Sequence, residues 1–184
     1  MRTFIAIEIE PSIREKISNL IRELEKVGAK VGWVKKESIH LTLKFLGEIE
    51  ERKVRDVSEK LKLISSKIKP FRIKVEGTGW FPEKSHNPRV LWIGVRYPET
   101  LKILWEEIEK EMEKIGFKRE EREFSPHITI GRVKGNGSIQ KVIDSLKKHE
   151  GLFGEMDVKG ITIFQSILKP DGAEYIPIEK ISFK

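Results

Sequence analysis

The strongest constraint on this chain is a four-residue strand pattern that occurs twice, as His40-Leu41-Thr42-Leu43 and as His127-Ile128-Thr129-Ile130. Alternate side chains of a strand share a face. Each copy therefore places a histidine and a threonine on one face and two aliphatic residues on the other. The chain contains only 4 histidines, and two of them occupy this same place in matched strands. The pattern predicts two amphipathic strands, each presenting an imidazole and a hydroxyl.

Hydrophobic periodicity places these motifs in a chain that mixes helices and strands. Apolar residues at three- and four-residue steps predict helices over residues 12–27, 51–67, 99–115 and 139–149. Alternating or β-branched runs predict strands over residues 3–9, 39–45, 71–75, 90–95, 124–133, 158–168 and 175–183. Hairpin-like pairs favour antiparallel pairing over a doubly wound parallel sheet. We therefore predict an α+β fold of two similar lobes that face one another, with antiparallel sheets and outer helices.

Composition sets broader limits on organisation and partners. No long linker interrupts the 184 residues, so we expect residues 1–184 to form a single bilobal domain. The formal net charge of +7 favours anionic partners mildly, although a lysine-rich solvated surface gives the same sign. Cysteine is absent, which excludes thiol nucleophiles and disulfides. The charged N-terminus does not resemble a signal peptide, and no apolar run is long enough to span a bilayer, so we expect a cytoplasmic protein without a membrane partner.

The paired motifs suit phosphodiester chemistry. One histidine can accept a proton from the attacking oxygen while the other donates one to the leaving oxygen. The hydroxyls of Thr42 and Thr129 can donate hydrogen bonds to the phosphate, and Arg132 lies close enough along its strand to hold the same group. A single His-x-Thr strand is more often an ordinary polar face, and Arg132 could be a surface charge. The repetition makes the catalytic interpretation the stronger one.

Other polar and aromatic residues carry weaker signals. The remaining histidines are expected to be structural or solvated: His86 and His149. All the tryptophans could stack on bases, but strand and helix patterns predict core positions for two of them, Trp92 and Trp105. Three lysines could contact an RNA backbone or form a solvated basic face: Lys35, Lys36 and Lys44. No zinc-binding motif, P-loop or dinucleotide-binding glycine pattern is present, so neither a metal nor a cofactor is expected.

Nearly the whole chain resembles the two-histidine (2H) phosphoesterase superfamily, and within it the RNA 2′,3′-cyclic phosphodiesterases, also called 2′-5′ RNA ligases. The likeness is carried by RTFIAI at 2–7, WV at 33–34, HLTLKFLGE at 40–48, PHITIGR at 126–132, SIL at 166–168 and GAEY at 172–175. It implies a bilobal fold with pseudo-twofold symmetry and both motifs in a central cleft.

The same resemblance implies hydrolysis of RNA 2′,3′-cyclic phosphate ends to 2′-phosphates, and reversible 2′-5′ joining of tRNA halves, by a metal-independent monomer. His40 would then protonate the leaving O3′, His127 would activate water, and Thr42, Thr129 and Arg132 would hold the phosphate. Which histidine is the acid stays open, because the reverse reaction exchanges the roles. Two alternatives also stay open: a module that binds RNA ends with little turnover, and a two-histidine enzyme acting on a small cyclic nucleotide or an ADP-ribose derivative.

Overall fold

A computed structural model describes residues 1–184 and contains nine strands and four helices. The strands are β1 (Arg2–Glu8), β2 (Val31–Trp33), β3 (His40–Glu48), β4 (Phe71–Phe81), β5 (Val90–Arg96), β6 (His127–Val133), β7 (Leu152–Val158), β8 (Gly160–Lys169) and β9 (Gly172–Ser182). The helices are α1 (Pro11–Glu25), α2 (Glu51–Ser65), α3 (Glu99–Lys114) and α4 (Ile139–Lys147).

The strands form two sheets in which every pairing is antiparallel. The first sheet has four strands in the order β3-β1-β8-β9, and the second has five in the order β2-β6-β5-β4-β7. The β1-α1-β3 and β5-α3-β6 segments repeat one arrangement, since each pairs its motif strand with the strand that precedes the helix. The predicted α+β fold with two similar antiparallel lobes is confirmed.

Helices α1 and α3 each pack against the sheet that does not contain the strand before them. Helix α1 follows a strand of the first sheet but contacts β7 of the second, beside α4. Helix α3 follows a strand of the second sheet but contacts β3 of the first, beside α2. All four helices bury the predicted apolar stripe, and on α3 it comprises Leu101, Leu104, Ile108 and Met112. A hydrophobic cluster of 38 buried residues draws on both sheets and all four helices.

The predicted helices and strands are all present, with differences at several ends. Strands β2 and β7 were not predicted. Strand β2 is only three residues long, and buried residues of β7 are spaced irregularly at Phe153, Met156 and Val158. A register shift in the pairing of β7 with β4 accompanies that irregular spacing. A strict two-residue period therefore could not reveal this strand.

Several predicted strand ends were displaced, and two of them have a local cause. Strand β6 begins at His127 rather than at residue 124, because Pro126 cannot donate to a sheet ladder. Strand β4 runs to Phe81 rather than ending at Val75. It passes through Gly77, whose φ of +80° suits glycine and coincides with a register shift against β5. No helix is both long and apolar enough to cross a lipid bilayer.

Candidate active site

The two motif strands approach each other where the sheets meet. Strand β2 pairs with β6 in the second sheet, and residues 34–39 then lead directly into β3 of the first sheet. Strands β3 and β6 also contact one another. A short connection and a direct contact therefore bring the motif strands together, although they belong to different sheets.

Each motif ends in a β-bulge, and the bulge decides which later side chains lie on the same strand face as the histidine and threonine, here called the cleft face. In β3, Thr42 pairs with Ala6 but Lys44 pairs with the preceding residue Ile5, so the strand carries one extra residue between them. In β6, Thr129 pairs with Trp92 but Gly131 pairs with Leu91. The two bulges occur at the same position of the motif, immediately after its threonine.

The bulge brings Arg132 onto the face that carries His127 and Thr129. Without it, strand alternation would direct residue 132 to the opposite face. The Arg132 side chain is exposed. Its positive charge acts to lower the pKa of three nearby groups: the imidazoles of His40 and His127 and the phenol of Tyr175. A cation thus lies within electrostatic reach of both histidines.

His40 is held by two hydrogen bonds. Its Nδ1 lies 2.7 Å from the backbone carbonyl oxygen of Ser38, and its Nε2 lies 2.7 Å from the hydroxyl of Thr42. A carbonyl oxygen can only accept, so Nδ1 carries the proton in the neutral ring, and Nε2 accepts from the hydroxyl. Rings of Phe4 and Tyr175 flank the imidazole, with centroids 4.9 and 5.0 Å away.

His127 is fixed in the corresponding way. Its Nδ1 lies 2.8 Å from the backbone carbonyl oxygen of Ser125, again two residues before the histidine. The ring of Phe81 stands edge-on at 4.9 Å, and that of Trp92 lies 6.4 Å away. No hydrogen bond joins this imidazole to Thr129. Both rings therefore have Nδ1 on a backbone carbonyl, which leaves Nε2 as the nitrogen that can react. Nε2 of His40 accepts a hydrogen bond from Thr42, whereas Nε2 of His127 has no such partner.

Burial lowers the pKa of His40 and of His127 below the ordinary value, and the positive charge of Arg132 lowers both further. The hydrogen bonds to the carbonyls of Ser38 and Ser125 oppose this by favouring the charged rings. The lowered pKa values favour the neutral form of both imidazoles in the free protein. Binding of an anion beside them would favour a proton on one ring.

Aromatic side chains near the histidines were largely missed by sequence reasoning. Phe4, Phe164 and buried Ala6 form a small cluster beneath His40, with Tyr175 packed against it. Tyr175 falls in a family-like segment, which was the only sequence signal for it. Burial raises the pKa of its phenol, and the charges of Arg132 and Arg2 act in the opposite direction.

The tryptophans are placed differently from prediction. Trp92 was expected in the core, but it is half-buried and lies beside His127, flat against Gly79. Trp105 is also only half-buried and stacks on Phe124 at 4.9 Å. Trp33 and Trp80, predicted as possible base-stacking residues, are half-buried and pack against the main core.

The lysines near the first motif do not form one basic face. Lys35 pairs with Asp171 at 2.7 Å, and Lys36 pairs with Glu15. Lys44, expected to be accessible, is buried and forms an ion pair with Glu109. The physical reason is the bulge after Thr42, which directs Lys44 to the helix-covered face.

The other histidines lie apart from these residues. His86 is in an exposed loop, as predicted, and His149 pairs with Glu23 at 3.2 Å. No group of three or more histidine, aspartate or glutamate side chains is arranged to hold a metal ion.

Comparison with known proteins agrees with this geometry. The family model described as LigT like Phosphoesterase matches residues 7–92 and 94–175, and each segment contains one His-x-Thr motif. A protein of Archaeoglobus fulgidus named RNA 2′,3′-cyclic phosphodiesterase is 39% identical, over 95% of this chain and 96% of its own length. A protein of the same name from Thermotoga maritima is 37% identical, over 100% of this chain and 96% of its own length.

Solved structures show the same fold. The protein TT0787 of Thermus thermophilus superposes with a TM-score of 0.79 at 28% identity, covering 100% of this chain and 98% of that one. LigT of E. coli, solved with 3′-AMP, gives a TM-score of 0.76 at 24% identity, covering 99% of this chain and 97% of that one. Together with the family match over both halves, these relationships show that the chain belongs to the LigT-like family of 2H phosphoesterases.

Proposed function

We propose that this protein hydrolyses the 2′,3′-cyclic phosphate at the end of an RNA and leaves a 2′-phosphate. The main observation behind this proposal is the pair of imidazoles. Each is fixed through Nδ1 by a backbone carbonyl, which leaves Nε2 as its reactive nitrogen. Two such groups can perform the two proton transfers that the reaction needs. Relatives named RNA 2′,3′-cyclic phosphodiesterase, similar over nearly their whole length, support the substrate class.

In the proposed reaction, Nε2 of His127 takes a proton from water as the water oxygen attacks phosphorus. The bond from phosphorus to O3′ breaks, and Nε2–H of His40 gives its proton to O3′. The product has a 2′-phosphate and a 3′-hydroxyl. His127 suits the base role because its ring lies at the more exposed of the two positions, where water has access.

Thr42, Thr129 and Arg132 are proposed to hold the phosphate. Both threonines share the strand face of their histidines. Arg132 adds a cation that could form charge-assisted hydrogen bonds to the non-bridging oxygens. On substrate binding the Thr42 hydroxyl would exchange its bond to His40 for one to phosphate, which frees Nε2 for proton transfer.

Aromatic residues beside the histidines are suited to nucleobases, since every base presents a face for stacking. We propose that an RNA end, such as that of a tRNA half, is the partner. In 2′-5′ joining, a 5′-hydroxyl would take the place of water: its oxygen attacks phosphorus, the bond from phosphorus to O3′ breaks, O3′ receives a proton, and a 2′-5′ linkage forms. We further propose that residues 1–184 act as one bilobal domain, in monomeric form, in the cytoplasm and without a metal. The shared core of both sheets supports the single domain.

Product analysis on an oligonucleotide ending in a 2′,3′-cyclic phosphate tests the proposal. The expected product carries only a 2′-phosphate, and its formation should persist with excess chelator. A protein with both His40→Ala and His127→Ala serves as the control against contaminating nuclease. Tight binding without product would instead support an RNA-end-binding module. Faster turnover of a cyclic mononucleotide than of the oligonucleotide would favour a small-molecule enzyme.

A further inference from the structure

A buried ion pair lies outside the groups assigned to the reaction. The side chain of Lys44 retains 6% of its accessible surface and that of Glu109 retains 2%. Burying two charges costs free energy that their attraction often fails to recover, so an apolar pair of similar volume is commonly as stable. Stability alone therefore gives a weak reason for this pair, and its geometry becomes informative.

The pair is fully hydrogen-bonded and joins three segments. Nζ of Lys44 donates to both carboxylate oxygens of Glu109, at 3.0 and 2.8 Å, and to the backbone carbonyl oxygen of Lys118 at 2.9 Å. The backbone N–H of Glu120 donates to the same carboxylate at 2.9 Å. Strand β3, helix α3 and the segment after α3 are thus tied at one point.

Those segments carry both histidines. Lys44 stands two residues after Thr42 on β3, the strand that begins with His40. Residues 118–120 lead to Ser125, whose carbonyl holds His127. The segment between α3 and β6 has no regular secondary structure, so the ion pair is a fixed attachment on its path.

Given the proposed function, we propose that Lys44 and Glu109 are positioning residues that set the separation and relative orientation of the two imidazoles. The pair holds the approach to His127 against the strand that carries His40. Neither side chain faces the cleft, so the effect is transmitted through the backbone of β3 and of residues 118–125. Proton transfer on opposite sides of one phosphorus atom is sensitive to such a separation.

The test replaces the pair by Lys44→Met together with Glu109→Gln, which removes both charges at once and leaves no unpaired buried ion. We expect a melting temperature near that of the wild type and an unchanged KM. We expect kcat to fall by about tenfold to a hundredfold, the size of effect produced by misplacement of about 1 Å. NMR titration of His127 should show its pKa moving back toward the ordinary value, because a loosened segment exposes the ring.

A matched control uses Lys60→Met with Glu111→Gln. This pair joins α2 to the same helix α3 at 3.3 Å, and Glu111 also pairs with Lys114 of α3, but neither side chain forms a hydrogen bond or ion pair with β3 or with residues 118–120. It should leave kcat and the His127 titration unchanged. If the Lys44 and Glu109 replacement does not fold, Glu109→Asp keeps both charges on a shorter side chain and should lower kcat in the same way.

A folded replacement with wild-type kcat and an unchanged His127 titration overturns the positioning role. A lower melting temperature with full kcat below it does so as well, because it assigns the pair to stability alone. If the wild-type protein fails to turn over cyclic phosphates, the proposed function is lost, whereas the NMR titration still decides whether this pair positions His127.

Discussion

The two motif strands are alike up to the bulge and different immediately after it. Each has a histidine, a threonine two residues later and an extra residue in the pairing at the next position. Beyond the bulge, Lys44 corresponds to Gly131 and Phe45 corresponds to Arg132. One lobe therefore places a buried cation beneath its strand and a phenyl ring on the cleft face. The other has a bare backbone beneath its strand and a guanidinium on the cleft face.

This difference separates two kinds of role. In the proposed mechanism, the shared positions would supply the proton-transfer groups and the hydroxyl donors, one set from each lobe. Arg132, at an unshared position, would supply a function needed once, because a single cation can serve one phosphate. The repeated arrangement thus provides a symmetric frame on which an asymmetric site is built.

The largest expected effect tests whether the histidines differ in role despite their matched settings. His40→Ala and His127→Ala should each lower kcat on a cyclic-phosphate oligonucleotide by about 10²- to 10⁴-fold, as expected for loss of one proton-transfer group. Bis(4-nitrophenyl) phosphate has a leaving group that needs little protonation. Activity on it should be impaired much less by His40→Ala than by His127→Ala.

Circular dichroism should show both variants folded, since neither ring belongs to the main core. If His127→Ala is instead the variant spared on the activated ester, the acid and base are exchanged. Equal impairment of both variants on that ester would remove the distinction between the two rings.

The next effect compares the residues that follow the bulges. Arg132→Ala should lower kcat/KM by about 10²-fold, because it removes a charged donor to the phosphate. Phe45→Ala changes the corresponding residue of the other strand, whose side chain is 64% exposed. It should leave kcat/KM on a cyclic mononucleotide nearly unchanged. A similar loss in both variants would show that Arg132 acts through the strand rather than through its charge.

The faces of the motif strands were predictable because alternation is a local property. His40 and Thr42 share a face whatever surrounds them. The bulges were not predictable, since Leu41, Leu43 and Phe45 continue the alternation without interruption in the sequence. Only pairing with β1 reveals the extra residue, and so strict alternation put Lys44 on the surface. That assignment was wrong for this reason, and the same bulge leaves Phe45 exposed.

Arg132 was identified from its nearness to the motif, without the bulge that brings it to the cleft. The aromatic residues beside His40 had no comparable signal. Tyr175 comes from the far end of the chain and reaches the site through pairing of β9 with β8. Trp92 was assigned to the core because its strand is strongly apolar, yet its face is set by pairing with Thr129. Long-range pairing therefore decided the features that local pattern could not.

A smaller effect, on the free energy of unfolding, tests the absence of a side chain at Gly131. A Cβ added there would lie 2.7 Å from Cγ1 of Val31 and 2.9 Å from the ring of Trp33. Gly131→Ala should therefore force β2 away and cost about 1–3 kcal/mol in the free energy of unfolding, measured with urea. Gly137→Ala is the control, because nothing lies within 4 Å of a Cβ at that position. Equal stability of the two variants would contradict close packing of β2 on β6.

The smallest effect is on the pH dependence of stability, and it reports the burial of His40. Its pKa is lowered in the folded protein, chiefly by burial, whereas the unfolded chain has the ordinary value of about 6.5. Below that pH the unfolded state binds more protons, so the free energy of unfolding declines as pH falls toward the folded-state pKa. His40→Gln removes this contribution. Its stability should decline less than that of the wild type between about pH 7.5 and 5.5, the range that spans the ordinary histidine pKa. Urea unfolding at both pH values measures the difference. If the two proteins lose the same stability, the pKa of His40 is not lowered by folding, and the prediction is wrong.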